Sequence, residues 1–258
     1  MNDSIYSTVE DQGKWRSFLF KGPSGAGKTT KAAQFPRPCF FNFDNNLSGL
    51  SKLPDALRKE IKVVNPQYRF DVKTKKFTTE LLRGDGKELQ IWDNFVNILA
   101  VVVEDETVDT IVIDSITTLA EFLFDTILKT ASPSKSPEIQ DWGAMARYLK
   151  WLGEELLTVP GRDKHVIITA HEDYHTDLKT KNSEQVLSIG GKMKKGFDLY
   201  FTDVWRIYMA PYKNPPEYWV RTIGGVDIAP FSAKCSIKDL PIEFKWDEWK
   251  DRIFAAIK

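Results

Sequence analysis

Eight residues, 22-GPSGAGKT-29, constrain this chain more than any other stretch in it. Gly22, Gly27, Lys28 and Thr29 complete the pattern G-x-x-x-x-G-K-[ST]. Glycines let the backbone curl until successive N–H groups point inward, which makes a concave seat for phosphate oxygens. A helix that starts where the loop ends aims its positive terminus at the same seat. Such a loop belongs between a strand and a helix, and the flanking text supplies both. Residues 16-RSFLF-20 read as a short buried strand, and residues 28 to 35 as a helix that stops before Pro36. Gly22, Pro23, Ser24, Gly25, Ala26, Gly27, Lys28, Thr29 and Thr30 are therefore expected to hold a nucleotide. Lys28 would neutralise its β- and γ-phosphates, and the Thr29 hydroxyl would ligate Mg²⁺. ATP with Mg²⁺ is the expected cofactor, although the contacts that choose the base lie outside this motif.

A phosphate loop needs a second acid for the metal, normally at the end of a neighbouring apolar strand. The stretch 110-TIVIDSIT-117 offers Asp114 in that position. The same text also reads as an ordinary strand followed by a capped helix, with Ser115 as the cap. The rest of the chain alternates. Strand-like 38-PCFFNF-43 precedes a short helix at 54–60 and an inserted hairpin within 61–80. Residues 87 to 104 have helical spacing, with Leu89, Trp92, Phe95, Val96, Leu99 and Val103 on one face. Helices at 116–129 and 142–158 flank a loop at 130–141, and 164-KHVIITAH-171 is another buried strand. From 199 onward LYFTDVWRIYM and EYWVRTI read as antiparallel strands, before a closing helix at 246–257. Alternating strands and helices argue for a mainly parallel sheet with helices on both faces.

Composition narrows the class. A chain of 258 residues, 42% hydrophobic, is the size of one large α/β domain. Its 36 basic and 36 acidic residues cancel, so any nucleic-acid or membrane contact must come from a local patch. The two cysteines, Cys39 and Cys235, are far apart, which fits a reducing cytosol better than a disulfide scaffold. No apolar run approaches the roughly 20 residues of a membrane helix.

The order of these motifs resembles the RecA-type recombinase core. It is most similar to the compact RecA-like ATPases of bacteriophages, which include single-strand annealing proteins. The stretches that carry the resemblance are 22-GPSGAGKTT-30, 38-PCFFNFDNNLSGL-50, 110-TIVIDSITTL-119, 142-WGAMARYLKWLGEELL-157, 165-HVIITAH-171 and 190-GGKMKKGFDLYFTDVWRI-207. The resemblance implies a RecA-like P-loop NTPase fold spanning 1–258, with its core at about 16–210 and a β-rich extension and closing helix at 211–258. It implies that Asp44 polarises the attacking water, where the family usually has a Glu, so that slow hydrolysis is expected. It implies that His171 senses the γ-phosphate, and that Lys28, Asp44, Asp114 and His171 form the catalytic set. Two mobile DNA-binding loops are implied at 130–141, with Lys135, and at 172–189, with Lys179 and Lys181. Lys192, Lys194 and Lys195 follow, and would meet DNA phosphates or a neighbouring subunit's nucleotide; the plain alternative is a solvated charge run. Tyr174 and Tyr200 would stack on bases or pack in the core. The implied partners are single-stranded DNA, other copies of the chain with nucleotide near the subunit interface, and a single-strand-binding or replication protein. The implied location is the host cytoplasm.

Three rival readings remain at this point. Residues 171-HEDYH-175 match a zinc-protease signature, which needs a helix that places both histidines on one face; here the motif follows directly on an apolar strand, and 172-EDYHTDLK-179 has no helical apolar stripe. The loop also resembles that of nucleoside monophosphate kinases, which need an arginine-lined acceptor site. The third is a nucleotide-gated assembly module with little hydrolysis.

Overall fold

The computed structural model describes residues 15–82, 90–131, 136–158, 163–177, 181–210, 213–226 and 230–257. Its main sheet has nine strands, eight of them in one row. The parallel set is β1 (Ser17–Gly22), β2 (Pro38–Asn42), β3 (Lys62–Val64), β6 (Thr110–Asp114), β7 (His165–Thr176) and β9 (Asp203–Met209), ordered β9-β1-β7-β6-β2-β3. Antiparallel β10 (Tyr218–Arg221) and β13 (Glu243–Lys245) continue the row beyond β9. This is the expected α/β class: a mainly parallel sheet with an antiparallel C-terminal extension.

The apolar runs are continuous because both faces of the sheet are covered. Successive side chains alternate between two cores. Leu19, Cys39, Phe41, Ile111, Ile113, Val166 and Ile168 face one core. Helices α3 (Ile91–Val103), α4 (Ile116–Ala131) and α5 (Ile139–Thr158) cover it, with Phe95, Leu119 and Leu149 at the centre. Phe18, Phe20, Phe40, Val112 and Ile167 face the other core, where Phe35, after α1 (Lys28–Ala32), meets Trp246 and Ile253 of α7 (Trp246–Ala256). Trp205 stacks on Phe20 there, with ring centroids 5.7 Å apart.

Several segments differ from the sequence reading. Helix α1 ends at Ala32 rather than at 35, and the chain turns through Phe35 N–H to Ala32 O so that Phe35 can reach Phe18, 5.2 Å between ring centroids. Of residues 61–80, the first few form β3 beside β2, after the helix α2 (Asp55–Glu60). Only the later part is a hairpin, β4 (Tyr68–Asp71) with β5 (Lys76–Leu81). The segment 172–189 is largely not a loop. β7 runs on to Thr176 and pairs with β8 (Ser183–Leu187), Glu172 opposite Leu187 and Thr176 opposite Ser183. Its polar composition had the look of a loop because the outer half of the hairpin is solvated, while main-chain bonds hold the ladder. Helix α4 extends to Ala131 and α5 begins at Ile139, which takes both ends of 130–141 into helices. Leu89 lies outside the described residues.

Beyond β8 come the short helix α6 (Met193–Gly196), and further on a small pair, β11 (Gly225–Val226) with β12 (Pro230–Phe231). Gly190, between β8 and α6, packs on Trp142 of α5: a Cβ there would stand 1.9 Å from the indole. Tyr200 packs on Gly153 in the same way, which assigns it to the core rather than to base stacking. Gly196, by contrast, has open space around it. Gly190→Ala is expected to destabilise the fold by about 1–3 kcal/mol, as overpacking does. Gly196→Ala should leave the urea midpoint nearly unchanged; equal midpoints for the two variants would contradict the packing.

Candidate nucleotide site

The C-terminal ends of β1, β2, β6 and β7 open onto one cavity of about 520 Å³. The register aligns them, with Gly22 opposite His171 and Asn42 opposite Asp114. Ligands of open parallel sheets bind at this end of the strands. Gly22 closes β1 with φ 148°, and a Cβ on it would sit 2.0 Å from the carbonyl oxygen of Ile207 on β9. Gly27 has φ 83°, the left-handed conformation that turns the loop into α1. Lys28, the first residue of that helix, donates from Nζ to the carbonyl oxygens of Gly22 and Pro23, both at 2.9 Å. Burial lowers its pKa to about 8, against the opposing charges of Asp114, Glu172 and Asp44.

Asp114 is only 3% exposed. Thr29 donates its hydroxyl to the carboxylate at 3.0 and 3.2 Å, and Thr169 of β7 donates to Oδ1. Burial pushes the Asp114 pKa up, and the negative charge of Asp44 adds to the shift. Asp44 itself follows β2. Its Oδ1 accepts from the Ser115 N–H at 3.2 Å and the Ser115 hydroxyl at 2.9 Å, while Oδ2 lies 3.8 Å from His171 Nε2. Burial works to raise its pKa, but hydrogen bonds from His171, Thr118 and Ser115 prevail and lower it to about 2. The other imidazole nitrogen, Nδ1, is 3.4 Å from Lys28 Nζ, so His171 sits between cation and carboxylate. Asn45 turns away with φ 53° toward Gln67, and Asn46 accepts from Ser48. Ser115 also fills the capping place expected of it, since its Oγ accepts from the Thr118 N–H at 3.4 Å at the start of α4.

The residues fit a nucleotide with its metal. Thr29 and Asp114 are hard oxygen donors already within hydrogen-bond reach of each other, as a Mg²⁺ site requires. Thus Lys28, Thr29, Asp44, Asp114 and His171 meet at one end of the cavity. The lysines at 192, 194 and 195 do not line it, nor does Lys181. Lys181 is exposed where the chain enters β8, and Lys192 is exposed beside α6. Lys194 lies 3.1 Å from His175 Nδ1, and Lys195 pairs with Glu184. Lys135 and Lys179 lie outside the described residues. The HEDYH stretch is part of an extended strand, where four residues span about 13 Å, too far for one metal. Among the described residues no group of three or more His, Cys, Asp or Glu could hold a metal ion.

Sequence reasoning missed Thr169, the second donor to Asp114; a hydroxyl in the middle of the apolar run VIITA was its only signal. It also missed the other end of the cavity, where Lys31, Gln34, Tyr218, Trp246 and Asp247 line the wall. Nothing in the text around position 218 marks that role.

The two carboxylates should titrate in opposite senses. The Asp44 pKa falls from its ordinary 3.8 to about 2, so its contribution is present above pH 4 and lost as pH drops toward 2. Denaturation of Asp44→Asn should therefore show a stability deficit that closes across that interval. Asp114 is raised above 3.8, so its ionised form costs stability as pH rises past that value. Asp114→Asn without ligand should melt no lower than wild type at pH 7, yet gain no thermal shift from Mg-ATP. A lower melting point would show that the carboxylate is a structural anchor.

Among the described residues no helix is long and apolar enough to cross a membrane. No curated protein matches the chain. Among solved structures, a KaiC-like protein of the hyperthermophilic archaeon Pyrococcus horikoshii is similar over 89% of this chain and 84% of that one, at 15% identity and a TM-score of 0.47. The flagellar accessory protein FlaH of Methanocaldococcus jannaschii is similar over 89% and 84%, at 8% identity and a TM-score of 0.41. Residues 14–226 match the family described as AAA domain. That match takes in the strand, the phosphate loop, Asp114 and His171, and well over half of the sequence, and the chain belongs to the AAA domain family.

Proposed function

We propose that the chain is a P-loop ATPase that binds ATP with Mg²⁺ at Gly22–Thr30 and hydrolyses it slowly, in the service of single-stranded DNA. The observation that carries the nucleotide reading is the convergence of Lys28, Thr29 and Asp114 on one cavity, with Asp44 and His171 beside them. When bound, Mg²⁺ would neutralise charge on the β- and γ-phosphate oxygens. Lys28 would leave the loop carbonyls and donate to the same phosphates. Asp44 would accept a proton from the attacking water, and His171 would sense the γ-phosphate from its place between Lys28 and Asp44. Slow turnover follows from Asp44's position: Ser115 already donates twice to one of its oxygens, and the side chain is one carbon shorter than Glu.

The DNA reading rests on the resemblance to bacteriophage recombination and annealing ATPases. It is supported by Lys181 and Lys192, exposed beside β8 and α6 and away from the nucleotide cavity; Lys194 and Lys195 of α6 lie on the same side, engaged with His175 and Glu184. Assembly into a homo-oligomer with nucleotide near the subunit interface, and work in phage recombination, strand annealing or replication beside a single-strand-binding protein, belong to the same proposal. The kinase alternative has less support, because no arginine among the described residues lines the cavity.

Lys28→Ala should abolish ATP binding in calorimetry; wild-type affinity in that variant would overturn the nucleotide reading. ATP turnover should rise with single-stranded DNA, less so with duplex, and gel-shift affinity should fall steeply between low and moderate salt. Turnover that needs a nucleoside monophosphate acceptor would restore the kinase. Tight ATP binding with no turnover, with or without DNA, would favour the nucleotide-gated assembly module.

A further inference from the structure

One cation in the nucleotide cavity rests on ring faces, with its opposing charge, Asp247 of the same wall, beyond ion-pair distance. Lys31 lies one turn past Lys28 along α1, is 3% exposed, and lines the cavity. Its Nζ stands 4.2 Å from the centre of the Tyr218 ring and 5.8 Å from that of Trp246. No carboxylate among the described residues lies within ion-pair distance of it. Burying an ammonium against ring faces, with its counter-charge Asp247 beyond ion-pair distance, is costly.

The geometry says what could use it. The cavity has two ends on either side of the phosphate loop. One holds Asp114, Thr169, His171 and Asp44; the other is built by Lys31 and Gln34 of the α1 region with Tyr218 and Trp246 from the C-terminal extension. That second wall is braced: Trp246 Nε1 donates to Gln34 Oε1 at 3.2 Å, and Gln34 Nε2 donates to the Thr30 carbonyl at 3.2 Å. Lys31 Nζ and the Tyr218 ring both reach the loop backbone. A Cβ on Gly27 would lie 3.1 Å from the first and 3.2 Å from the second. Asn46, Ser48, Gly49 and exposed Lys52 line the remaining side, so the end that sets a buried cation beside an aromatic face, at Lys31 and Tyr218, is the seat suited to the inner phosphate and base of a nucleoside triphosphate whose terminal phosphate lies at Lys28 and Asp114.

We propose that Lys31 is a second nucleotide-binding cation, held on the Tyr218 face and transferred to the phosphate nearest the ribose, and that the Tyr218 ring it leaves is the seat of a purine base. The proposal rests on the reading that the loop binds a nucleoside triphosphate. A phosphate is a far better partner for an ammonium than a ring face, because charge-assisted hydrogen bonds exceed a cation–π contact. The uncovered ring offers a flat apolar surface for a base to stack on.

Calorimetric titration of Mg-ATP and of inorganic tripolyphosphate, with thermal melts taken without ligand, tests it. Lys31→Met should weaken both ligands by about ten-fold, the loss of one charge-assisted contact, and should melt no lower than wild type. Tyr218→Leu should weaken ATP by about ten-fold through lost stacking, and change tripolyphosphate by less than about two-fold. Wild-type affinities in both variants, with no binding by Lys28→Ala, would overturn the proposal while the loop reading stood. A Lys31→Met protein that melts well below wild type would make the lysine structural and also overturn it. Equal losses of ATP and tripolyphosphate in Tyr218→Leu would remove the base seat. No binding of either ligand by wild type would remove the loop reading and this proposal together.

Discussion

A carboxylate buried at the end of a central strand is the constraint on which the site depends. Asp114 sits in the middle of the sheet, with β7 between its own strand and β1. Two neutral hydroxyls satisfy it, Thr29 from helix α1 and Thr169 from β7. Neutral donors cannot cancel its charge, so the position favours a proton or a cation over an empty ionised state. A buried acid of this kind is poorly explained by stability and fits the metal of the proposed nucleotide. The parallel register then does the rest, by bringing the ends of β1, β2 and β7 level with it.

The side of β7 away from the phosphates is held by charge as well. Glu172 follows His171 directly and pairs with Lys21 at 3.4 Å and Arg206 at 2.8 Å, all three side chains nearly buried. Ion pairs this deep add little net stability, because desolvation offsets their attraction, but they tolerate few alternative arrangements. Here they bind β1, β7 and β9 together at the point where β7 leaves the parallel sheet for its hairpin with β8. His171 is therefore positioned from both sides: by its backbone N–H donating to Thr117 at 3.0 Å, and by its neighbour's ion pairs. The same strand carries the candidate nucleotide sensor and the first arm of the lysine-bearing hairpin.

Much of this was legible in the residues, and for reasons that can be named. Steric rules make the spacing of Gly22, Gly27, Lys28 and Thr29 nearly sufficient for a phosphate loop, and short apolar runs ending in Asp114 or His171 mark buried parallel strands. The closing helix was readable as well, and forms at Trp246–Ala256. The β7–β8 hairpin was not, because a solvated ladder draws its bonds from the main chain, which carries no composition signal. The HEDYH stretch was legible for the opposite reason: its spacing suits a metal only on a helix, and the apolar strand that runs straight into it, paired with β1 and β6, leaves no helix there.

The sequence alone determined the class of the fold, the loop that seats phosphates and the acid that faces it, because each depends on local backbone geometry or on strand-length hydrophobic runs. Only the tertiary structure decided that Thr169 shares Asp114 with Thr29, that His171 stands between Lys28 and Asp44, and that Tyr218 and Trp246 close the cavity over Lys31. Those neighbours lie between 55 and 143 residues apart where hydrogen bonds join them. Their meeting is set by strand order and register, which depend on how the whole sheet packs and not on any one segment of text.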